Sequence, residues 1–251
     1  MAKHIISLSG GKDSTAMVIG MIEKSYPIDD IVCVDTTKEF PEMYEHIEKV
    51  KKYIIPLTIT TISINFDYWF GDHIKTKGKN EGHKGYGWPD NSTRWCTFLK
   101  RDEKIRHYKS CGLDRSNVIE FVGISSEESD RTILSSGDKF EKRYPLIEMG
   151  LTGKQALEYC YQKGFDWNGL YKKFNRVSCW CCPLSSLHEL RMLYDHYPEF
   201  WKELQNMDKK SFRRFKNDYS VEDLTEKFRK EKSRQFFVFD SEGNLVPNKK
   251  R

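Results

Sequence analysis

The first 24 residues hold an apolar segment, a pair of glycines and a longer amphipathic segment in immediate succession. His4 to Leu8 predicts a buried strand, Ser9-Gly10-Gly11 predicts a tight turn, and the apolar spacing predicts a helix that ends at about Lys24. A strand that passes through a short turn into a helix is the first half of a βαβ unit, whose strands are parallel. The start of the chain therefore favours an α/β fold.

The same alternation of strands and helices continues along the chain. Strands are predicted at residues 31–34, 57–64, 117–124 and 236–239, and helices at residues 41–54, 97–109, 152–163 and 185–206. We predict an α/β fold in which a parallel sheet is flanked by helices, followed by a small, mainly helical C-terminal part. Residues 125–138 are predicted to form a polar loop. Residues 71–93, with five glycines, predict a lid or a substrate loop.

Composition and charge limit the class of protein. The 251 residues are 38% hydrophobic and 31% charged, and they contain neither a membrane-spanning stretch nor a signal-peptide core, so we expect a cytoplasmic protein without a membrane partner. The net charge of +5 is uneven, because residues 202–251 hold 14 basic and 9 acidic side chains while the rest of the chain is balanced. A basic tail of this strength is more often a solvated face than a nucleic-acid footprint.

The segment Ser9-Gly10-Gly11-Lys12-Asp13-Ser14 carries the most specific chemistry. Its two glycines let backbone N–H groups approach an anion, the following helix N-terminus adds partial positive charge, and two serines offer hydroxyl donors. The spacing differs from the Walker A sequence, which has four residues between its glycines. The segment therefore predicts a phosphate-binding loop of another kind.

Three of the seven cysteines lie within four residues, which favours metal or sulfur chemistry over disulfides. Cys179 and Cys182 have the Cys-x-x-Cys spacing that directs two thiolates to one metal ion or cluster iron. The remaining ligands stay open among Cys181, Cys111, Cys160 and His188, whereas Cys33 is expected to be a core residue.

Four motifs in the same order resemble the PP-loop ATP-pyrophosphatase superfamily and, within it, the phosphoadenosine phosphosulfate (PAPS) reductase-like branch. The resemblance spans roughly residues 3–190. Its motifs are Ser9-Gly10-Gly11-Lys12-Asp13-Ser14, Asp35-Thr36-Thr37-Lys38-Glu39-Phe40-Pro41-Glu42, Arg94-Trp95-Cys96-Thr97 with Leu99-Lys100, and Gly123-Ile124 with Glu127, Glu128, Ser129 and Arg131.

The resemblance implies a fold like that of the adenine nucleotide α-hydrolases and a role for each matching residue. Nucleotide-binding residues would be Ser9, Gly10, Gly11, Lys12, Asp13, Ser14, Asp35 and Gly123; catalytic residues would be Lys12, Asp13, Arg94, Lys100 and Arg131; metal ligands would be Cys96, Cys179, Cys182 and Cys181. The implied domains are a nucleotide-binding α/β domain at 1–150, a cysteine-containing helical segment at 151–206 and a basic tail at 207–251.

The resemblance implies an ATP-dependent enzyme with Mg²⁺ that adenylates its substrate, releases pyrophosphate and lets sulfur displace AMP, as in thiolation or phosphorothioation of nucleic acids. An iron-sulfur cluster or zinc, a sulfur-donor protein and a homodimer are also expected. The alternative is a sulfonucleotide reductase acting on PAPS or adenosine 5′-phosphosulfate (APS). Such reductases carry a nucleophilic cysteine in a C-terminal Glu-Cys-Gly segment, and this sequence has no cysteine after Cys182. A second alternative is a non-catalytic nucleotide- or DNA-binding protein.

Overall fold

Five strands form a parallel sheet in the described part of the chain, which comprises residues 2–78, 80–133, 140–239 and 245–247 of a computed structural model. The strands are β1 (Lys3–Leu8), β2 (Asp30–Asp35), β3 (Ile59–Ser63), β4 (Val118–Val122) and β5 (Glu141–Arg143). Their order is β3-β2-β1-β4-β5, and every neighbouring pair is parallel. The predicted α/β fold with a parallel sheet is confirmed.

Each helix predicted from the sequence is present, but the one predicted at residues 185–206 is divided into two at Tyr197, and the short helices at residues 145–148 and 170–173 were not predicted. The helices are α1 (Lys12–Glu23), α2 (Pro41–Tyr53), α3 (Trp95–Ser110), α4 (Pro145–Glu148), α5 (Gly153–Gln162), α6 (Leu170–Lys173), α7 (Leu187–His196), α8 (Pro198–Lys210) and α9 (Val221–Phe236), and a final antiparallel pair is formed by β6 (Phe237–Phe239) and β7 (Leu245–Pro247). Thr152 and Ser186 each form a capping box that fixes where a helix begins.

The predicted polar loop after β4 differs from the structure in its first part. Residues Ser126–Thr132 form a 3₁₀ helix, in which the N–H of Glu128 donates to the carbonyl of Ser125 over 3.0 Å. Hydrogen bonds between residues three positions apart give the backbone N–H and C=O groups of a short polar segment their partners, so no longer helix is needed. The part of the predicted loop at residues 134–138 lies outside the described residues.

The chain divides into two compact units. The first contains residues 1–66 and 95–180, and the second contains residues 67–94 and 181–251. The division predicted from the sequence, at residues 150 and 206, has other boundaries and stays a prediction. Among the described helices, none combines the length and apolar character that a membrane crossing requires.

In the first unit, α1 is enclosed on all sides. Every residue from Ser14 to Met21 is buried, because one side of the helix covers the sheet and α4 and α5 cover the other. At Gly20 an added Cβ would lie 3.1 Å from Sδ of Met149, so the small residue permits the close approach of that segment. The loop that precedes α1 is therefore attached to a fixed helix.

The order of the strands predicts a crevice beside the loop that precedes α1. Successive connections leave β1 and β4 toward opposite sides of the sheet, so the sheet has its topological switch point between these two strands. Open parallel sheets bind ligands at such a point, beyond the carboxyl ends of the strands. Ser9 follows β1 and Gly123 follows β4, which puts two of the predicted nucleotide-binding segments at this crevice.

The second unit is built from helices and the glycine-rich segment 67–94. Helices α7, α8 and α9 pack against one another around buried Trp201 and Phe228. Trp88 is buried against Phe70 and Phe215, and its indole Nε1 donates to Oδ1 of Asp208 over 2.8 Å. The segment in which the sequence predicts a lid or a substrate loop is therefore part of the same unit as the C-terminal helices.

Candidate active site at the carboxyl edge of the sheet

The loop from Ser9 to Ser14 has the geometry of an anion-binding turn. Gly10 adopts φ +78°, which a side chain would strain, and Gly11 is the N-cap of α1. The two serine hydroxyls lie 2.9 Å apart, and the N–H of Ser9 donates to Oγ of Ser14 over 3.2 Å. Because Gly11 has no side chain that could cap the helix, the first turn of α1 presents N–H groups to the crevice.

Two glycines from other segments let the chain close around the loop. At Gly123 an added Cβ would lie 2.8 Å from the backbone N and Cα of Ser14, so β4 and α1 meet there backbone to backbone. At Gly153 an added Cβ would lie 2.5 Å from Nζ of Lys12 and 2.9 Å from Oε1 of Glu127. Gly123 therefore has a steric role, and Gly153 marks a point where charged groups converge.

The charged groups at this point form a compact set in the first unit. Nζ of Lys12 donates to Oδ1 of Asp13 over 2.7 Å, and the N–H of Gly153 donates to Oε1 of Glu127 over 3.1 Å. Mg²⁺ takes one or two protein carboxylates together with phosphate oxygens and water. The carboxylates of Asp13 and Glu127 beside a phosphate-binding loop fit a magnesium nucleotide.

Two aromatic side chains contact the backbone of the loop. The indole Nε1 of Trp167 donates to the carbonyl of Gly10 over 2.8 Å, and the hydroxyl of Tyr171 accepts from the backbone N–H of Lys12 over 2.9 Å. The two rings meet edge to face with centroids 4.8 Å apart. Burial raises the pKa of Tyr171, so its hydroxyl stays protonated.

A buried histidine supports the same aromatic group. Nε2 of His46 lies 2.9 Å from Oγ1 of Thr15, and the imidazole stacks on the indole of Trp167 with centroids 4.3 Å apart. Burial is the main cause that lowers the pKa of His46 to about 3, with Lys49 acting in the same direction. His46 is therefore neutral at physiological pH and has a structural role.

A second cluster in the first unit joins a thiol to acidic and basic side chains. Sγ of Cys179 donates to Oε1 of Glu39 over 3.2 Å and lies 3.2 Å from Oγ1 of Thr36. Nζ of Lys100 is 3.6 Å from the same Glu39 oxygen. Burial opposes the charged form of Lys100, but Cys179, Glu39 and Cys96 outweigh it and raise its pKa. Lys100 therefore supplies a permanent cation beside two of the predicted metal-binding cysteines.

The other predicted cationic and acidic residues have local partners. Arg94 donates to Oδ1 of Asn91 over 3.1 Å, and Arg131 forms an exposed ion pair of 2.5 Å with Glu128. Asp35 accepts bonds from the N–H of Thr37 over 2.7 Å and from the hydroxyl of Tyr44 over 3.1 Å. Their predicted roles toward a nucleotide stay predictions.

The cysteines fall into distinct environments, and none of the seven, all of which are described, forms a disulfide. Burial raises the pKa of Cys33 to about 11 and that of Cys160 to about 12, which makes both unreactive core thiols. Cys111 is exposed. Cys96 and Cys179 belong to the first unit, whereas Cys181 and Cys182 belong to the second.

In the described ranges, no three side chains of the types Cys, His, Asp and Glu come together as a metal site. A zinc ion or an iron-sulfur cluster usually needs about four such ligands. The assignment of Cys96, Cys179, Cys182 and Cys181 as metal ligands therefore stays a prediction.

Sequence reasoning missed several residues of the site. Trp167, Tyr171 and Gly153 contact the loop from positions more than 130 residues away in the chain, and no motif marks them. Glu39 and Glu127 stood within the segments that carry the family resemblance, so those motifs held a signal for them.

Comparison with known proteins gives a match over most of the chain. The phosphoadenosine phosphosulfate reductase domain family matches residues 3–185. Two uncharacterized proteins of Methanocaldococcus jannaschii, MJ0066 and MJ0973, are 25% and 26% identical over 81% and 78% of this chain. The chain spans only 41% and 45% of the length of these relatives.

A solved structure, the U34-tRNA thiolase NcsA from Methanococcus maripaludis with its [4Fe-4S] cluster, aligns with 83% of this chain and 71% of its own. The TM-score is 0.42 and the sequence identity is 11%.

Proposed function

Because the chain belongs to the phosphoadenosine phosphosulfate reductase domain family, we propose that it is an enzyme that binds ATP at the loop Ser9–Ser14 and transfers AMP to an acceptor oxygen with release of pyrophosphate. A sulfur nucleophile at the oxidation level of sulfide then displaces AMP. The observation that carries the proposal is the loop itself, a glycine turn that presents helix N–H groups and two serine hydroxyls at the switch point of the sheet.

The side chains around the loop favour the departure of pyrophosphate. Lys12 and the first turn of α1 place positive charge where a phosphate chain would lie, so charge that develops on the leaving group is stabilised by groups already in position. Bound Mg²⁺ would neutralise further phosphate charge, and Asp13 and Glu127 are the residues that would hold it. Trp167, which donates to the carbonyl of Gly10, keeps the loop in its shape.

The transfer of sulfur changes no oxidation state, so it needs neither an oxidant nor a reductant. The acceptor oxygen attacks the α-phosphorus of ATP and pyrophosphate leaves; the sulfur nucleophile then attacks the atom bonded to that oxygen. A bond from this atom to sulfur forms, its bond to oxygen breaks, and AMP leaves with the oxygen. We propose a nucleic acid as the acceptor, in keeping with the basic excess in residues 202–251.

A sulfonucleotide reductase is the second candidate. The thiol of Cys179, hydrogen-bonded to Glu39 and accompanied by Lys100, favours it, because a thiol near a cation is the type of group that attacks the sulfur of PAPS or APS. This candidate predicts release of sulfite rather than pyrophosphate.

One assay with two readouts separates the candidates. The purified protein is incubated with Mg²⁺, ATP, sulfide and bulk RNA or DNA, and separately with PAPS or APS and a thiol; pyrophosphate and sulfite are measured in both. We expect pyrophosphate only with ATP and nucleic acid, and its loss in Ser14→Ala but not in the matched Ser110→Ala, which lies exposed at the end of α3. Formation of sulfite alone would support the reductase. If neither pyrophosphate nor sulfite is formed, the protein binds nucleotide without turning it over.

A further inference from the structure

The second unit contains a lysine that is buried between two aromatic rings. Only 8% of the surface of Lys75 is exposed, and its Nζ lies 4.7 Å from the ring centroid of Phe212 and 5.5 Å from that of Tyr86. Among the residues that the structure describes, no carboxylate pairs with this ammonium and no acceptor receives a hydrogen bond from it. The aliphatic stem of Lys75 accounts for its burial, and the ammonium lies beside the two rings rather than beside an anion.

The backbone around Lys75 fixes its position. Its N–H donates to the carbonyl of His83 over 3.0 Å, and its own carbonyl accepts from the N–H of Gly82 over 2.8 Å. Gly85 closes this hairpin at φ +64°, where an added Cβ would lie 2.2 Å from the carbonyl oxygen of Phe70. The lysine is therefore held by a folded hairpin in the segment in which the sequence predicts a lid or a substrate loop.

The other wall of the site is fixed to the end of α8. Gly87 adopts φ +62°, and an added Cβ there would lie 3.0 Å from Oγ of Ser211 and 3.2 Å from Cε1 of Phe212, so the missing side chain leaves room for the phenyl ring. Oγ of Ser211 accepts from the N–H of Arg213 over 3.1 Å, and Arg213 forms an ion pair of 3.1 Å with Asp90. The site is thus formed by elements that hold one another in place.

The electrostatics of this site favour an anion. Burial lowers the pKa of Lys75, and the Arg213 guanidinium lowers it further. An arriving anion would relieve both effects, because it would supply the opposite charge that the protein does not. The aromatic rings stabilise the ammonium only in part.

The surface beside the cation is aromatic and accessible. Phe212 is 62% exposed and Tyr68 is 46% exposed. The rings of His73 and Tyr86 stack with centroids 5.3 Å apart, and Trp69 stacks on Tyr86 at 6.1 Å. Flat, accessible rings next to a cation match a ligand that alternates planar and anionic groups.

We propose that this aromatic-cationic site, defined by Lys75, Tyr86, Phe212 and Arg213, binds single-stranded nucleic acid, with a backbone phosphate at Lys75 and a base stacked on Phe212. An acidic peptide would satisfy the charge of Lys75 but would leave the exposed rings without a planar partner, so the rings favour a nucleic acid. The site goes beyond the proposed function, because it needs neither ATP nor the loop Ser9–Ser14.

The test measures binding by the full chain without ATP, so its result does not depend on catalysis. A fluorescein-labelled single-stranded RNA of about 12 nucleotides, within the range of known stacking sites, is titrated with protein and followed by fluorescence anisotropy. We expect an affinity that falls as salt rises. Phe212→Ala should weaken binding at least fivefold, and Lys75→Met should weaken it about tenfold while keeping the length of the side chain.

Two matched variants control for charge and for exposed apolar area. Lys202→Ala removes one exposed positive charge from α8, and Leu187→Ala removes an exposed apolar side chain from α7; both should bind RNA within twofold of the unchanged chain. Phe212 is exposed, so its variant tests the proposal even if Lys75→Met fails to fold. Equal RNA affinity in Phe212→Ala and in the control variants would overturn the proposal, as would a labelled polyglutamate peptide that binds more tightly than RNA and depends on Phe212.

Discussion

The hydroxyl of Tyr171 accepts a hydrogen bond of 2.9 Å from the backbone N–H of Lys12, the first residue of α1. This N–H group belongs to the turn that we propose as the phosphate site. A phosphate oxygen that takes the same amide must replace the tyrosine hydroxyl. The bond therefore links the occupancy of the loop to the position of α6.

Tyr171→Phe should tighten the binding of ATP or of inorganic pyrophosphate. The variant keeps the ring but leaves the Lys12 amide without its acceptor, so a phosphate no longer competes with the hydroxyl; one hydrogen bond corresponds to roughly 1 kcal/mol, or about fivefold in the dissociation constant. Isothermal titration calorimetry measures the change. Tyr161→Phe, at an exposed tyrosine, serves as the control, and weaker binding by Tyr171→Phe would show that the hydroxyl is a ligand instead.

Gly123→Ala should damage both the fold and nucleotide binding. The added Cβ would lie 2.8 Å from the backbone of Ser14, where nothing flexible can move aside, so we expect a loss of about 1–3 kcal/mol in the free energy of unfolding. The affinity for ATP should fall about tenfold or more as the loop shifts. Gly71→Ala is the matched control, because no atom lies within 4 Å of its added Cβ; equal behaviour of the two variants would contradict the close approach.

His46 should make the protein sensitive to acid. Nε2 of His46 lies 2.9 Å from Oγ1 of Thr15, and Nδ1 is buried without a hydrogen-bond partner in the described structure, so a protonated His46 would leave a buried N–H group unpaired. Because its pKa falls from 6.5 to about 3 on folding, the stabilisation is complete above pH 6.5 and is lost as the pH falls toward 3.

Urea unfolding at a series of pH values tests this prediction. The free energy of unfolding should fall by up to about 1.4 kcal/mol per pH unit through protonation of His46. His46→Gln keeps an N–H donor but does not titrate, so its acid dependence should be weaker by this amount. The exposed His196→Gln should retain the original dependence, and a slope unchanged in His46→Gln would refute the assignment.

The predicted metal centre calls for analysis of the purified chain. Protein isolated without oxygen should contain iron with sulfide, or zinc, and show the corresponding absorption spectrum. Cys182→Ser should lower the metal content, while Ser110→Ala, which changes an exposed residue that is no candidate ligand, should not. A colourless, metal-free protein would contradict the predicted metal centre, and Cys179 and Lys100 would then form a thiol and cation pair that binds no metal.

The sequence predicted the sheet and the loop because both are local in character. Strands β1 to β4 each have an apolar pattern of their own, and the strand-glycine-helix order places Ser9 to Ser14 at a carboxyl edge before any contact is known. Strand β5 (Glu141–Arg143) consists of charged residues alone, so no apolar pattern marks it and the sequence did not predict it. The partners of the site residues are not local. Trp167 reaches Gly10 across 157 positions, and Cys179 reaches Glu39 across 140, distances at which apolar period and turn chemistry carry no information.

The glycine-rich segment 67–94 shows another limit. Its glycines correctly indicate an unusual backbone, yet the sequence does not show that Lys75 lies between Tyr86 and Phe212, because the second ring comes from the end of α8. A lysine in a glycine-rich loop is normally solvated. Only the folded unit shows that this one is enclosed.

The complete burial of α1 also constrains how the length of this chain can change. Each residue turns a helix by about 100°, so one inserted residue after Ser14 would rotate every later side chain as far as Met21 into a neighbour of the wrong size. A helix with a solvent-facing side can absorb such a rotation there, but α1 has none over this span. We therefore expect that any protein which shares this loop and its surroundings keeps the count of residues from Ser14 to Met21 unchanged, and that insertions and deletions begin only at the exposed residues that follow α1.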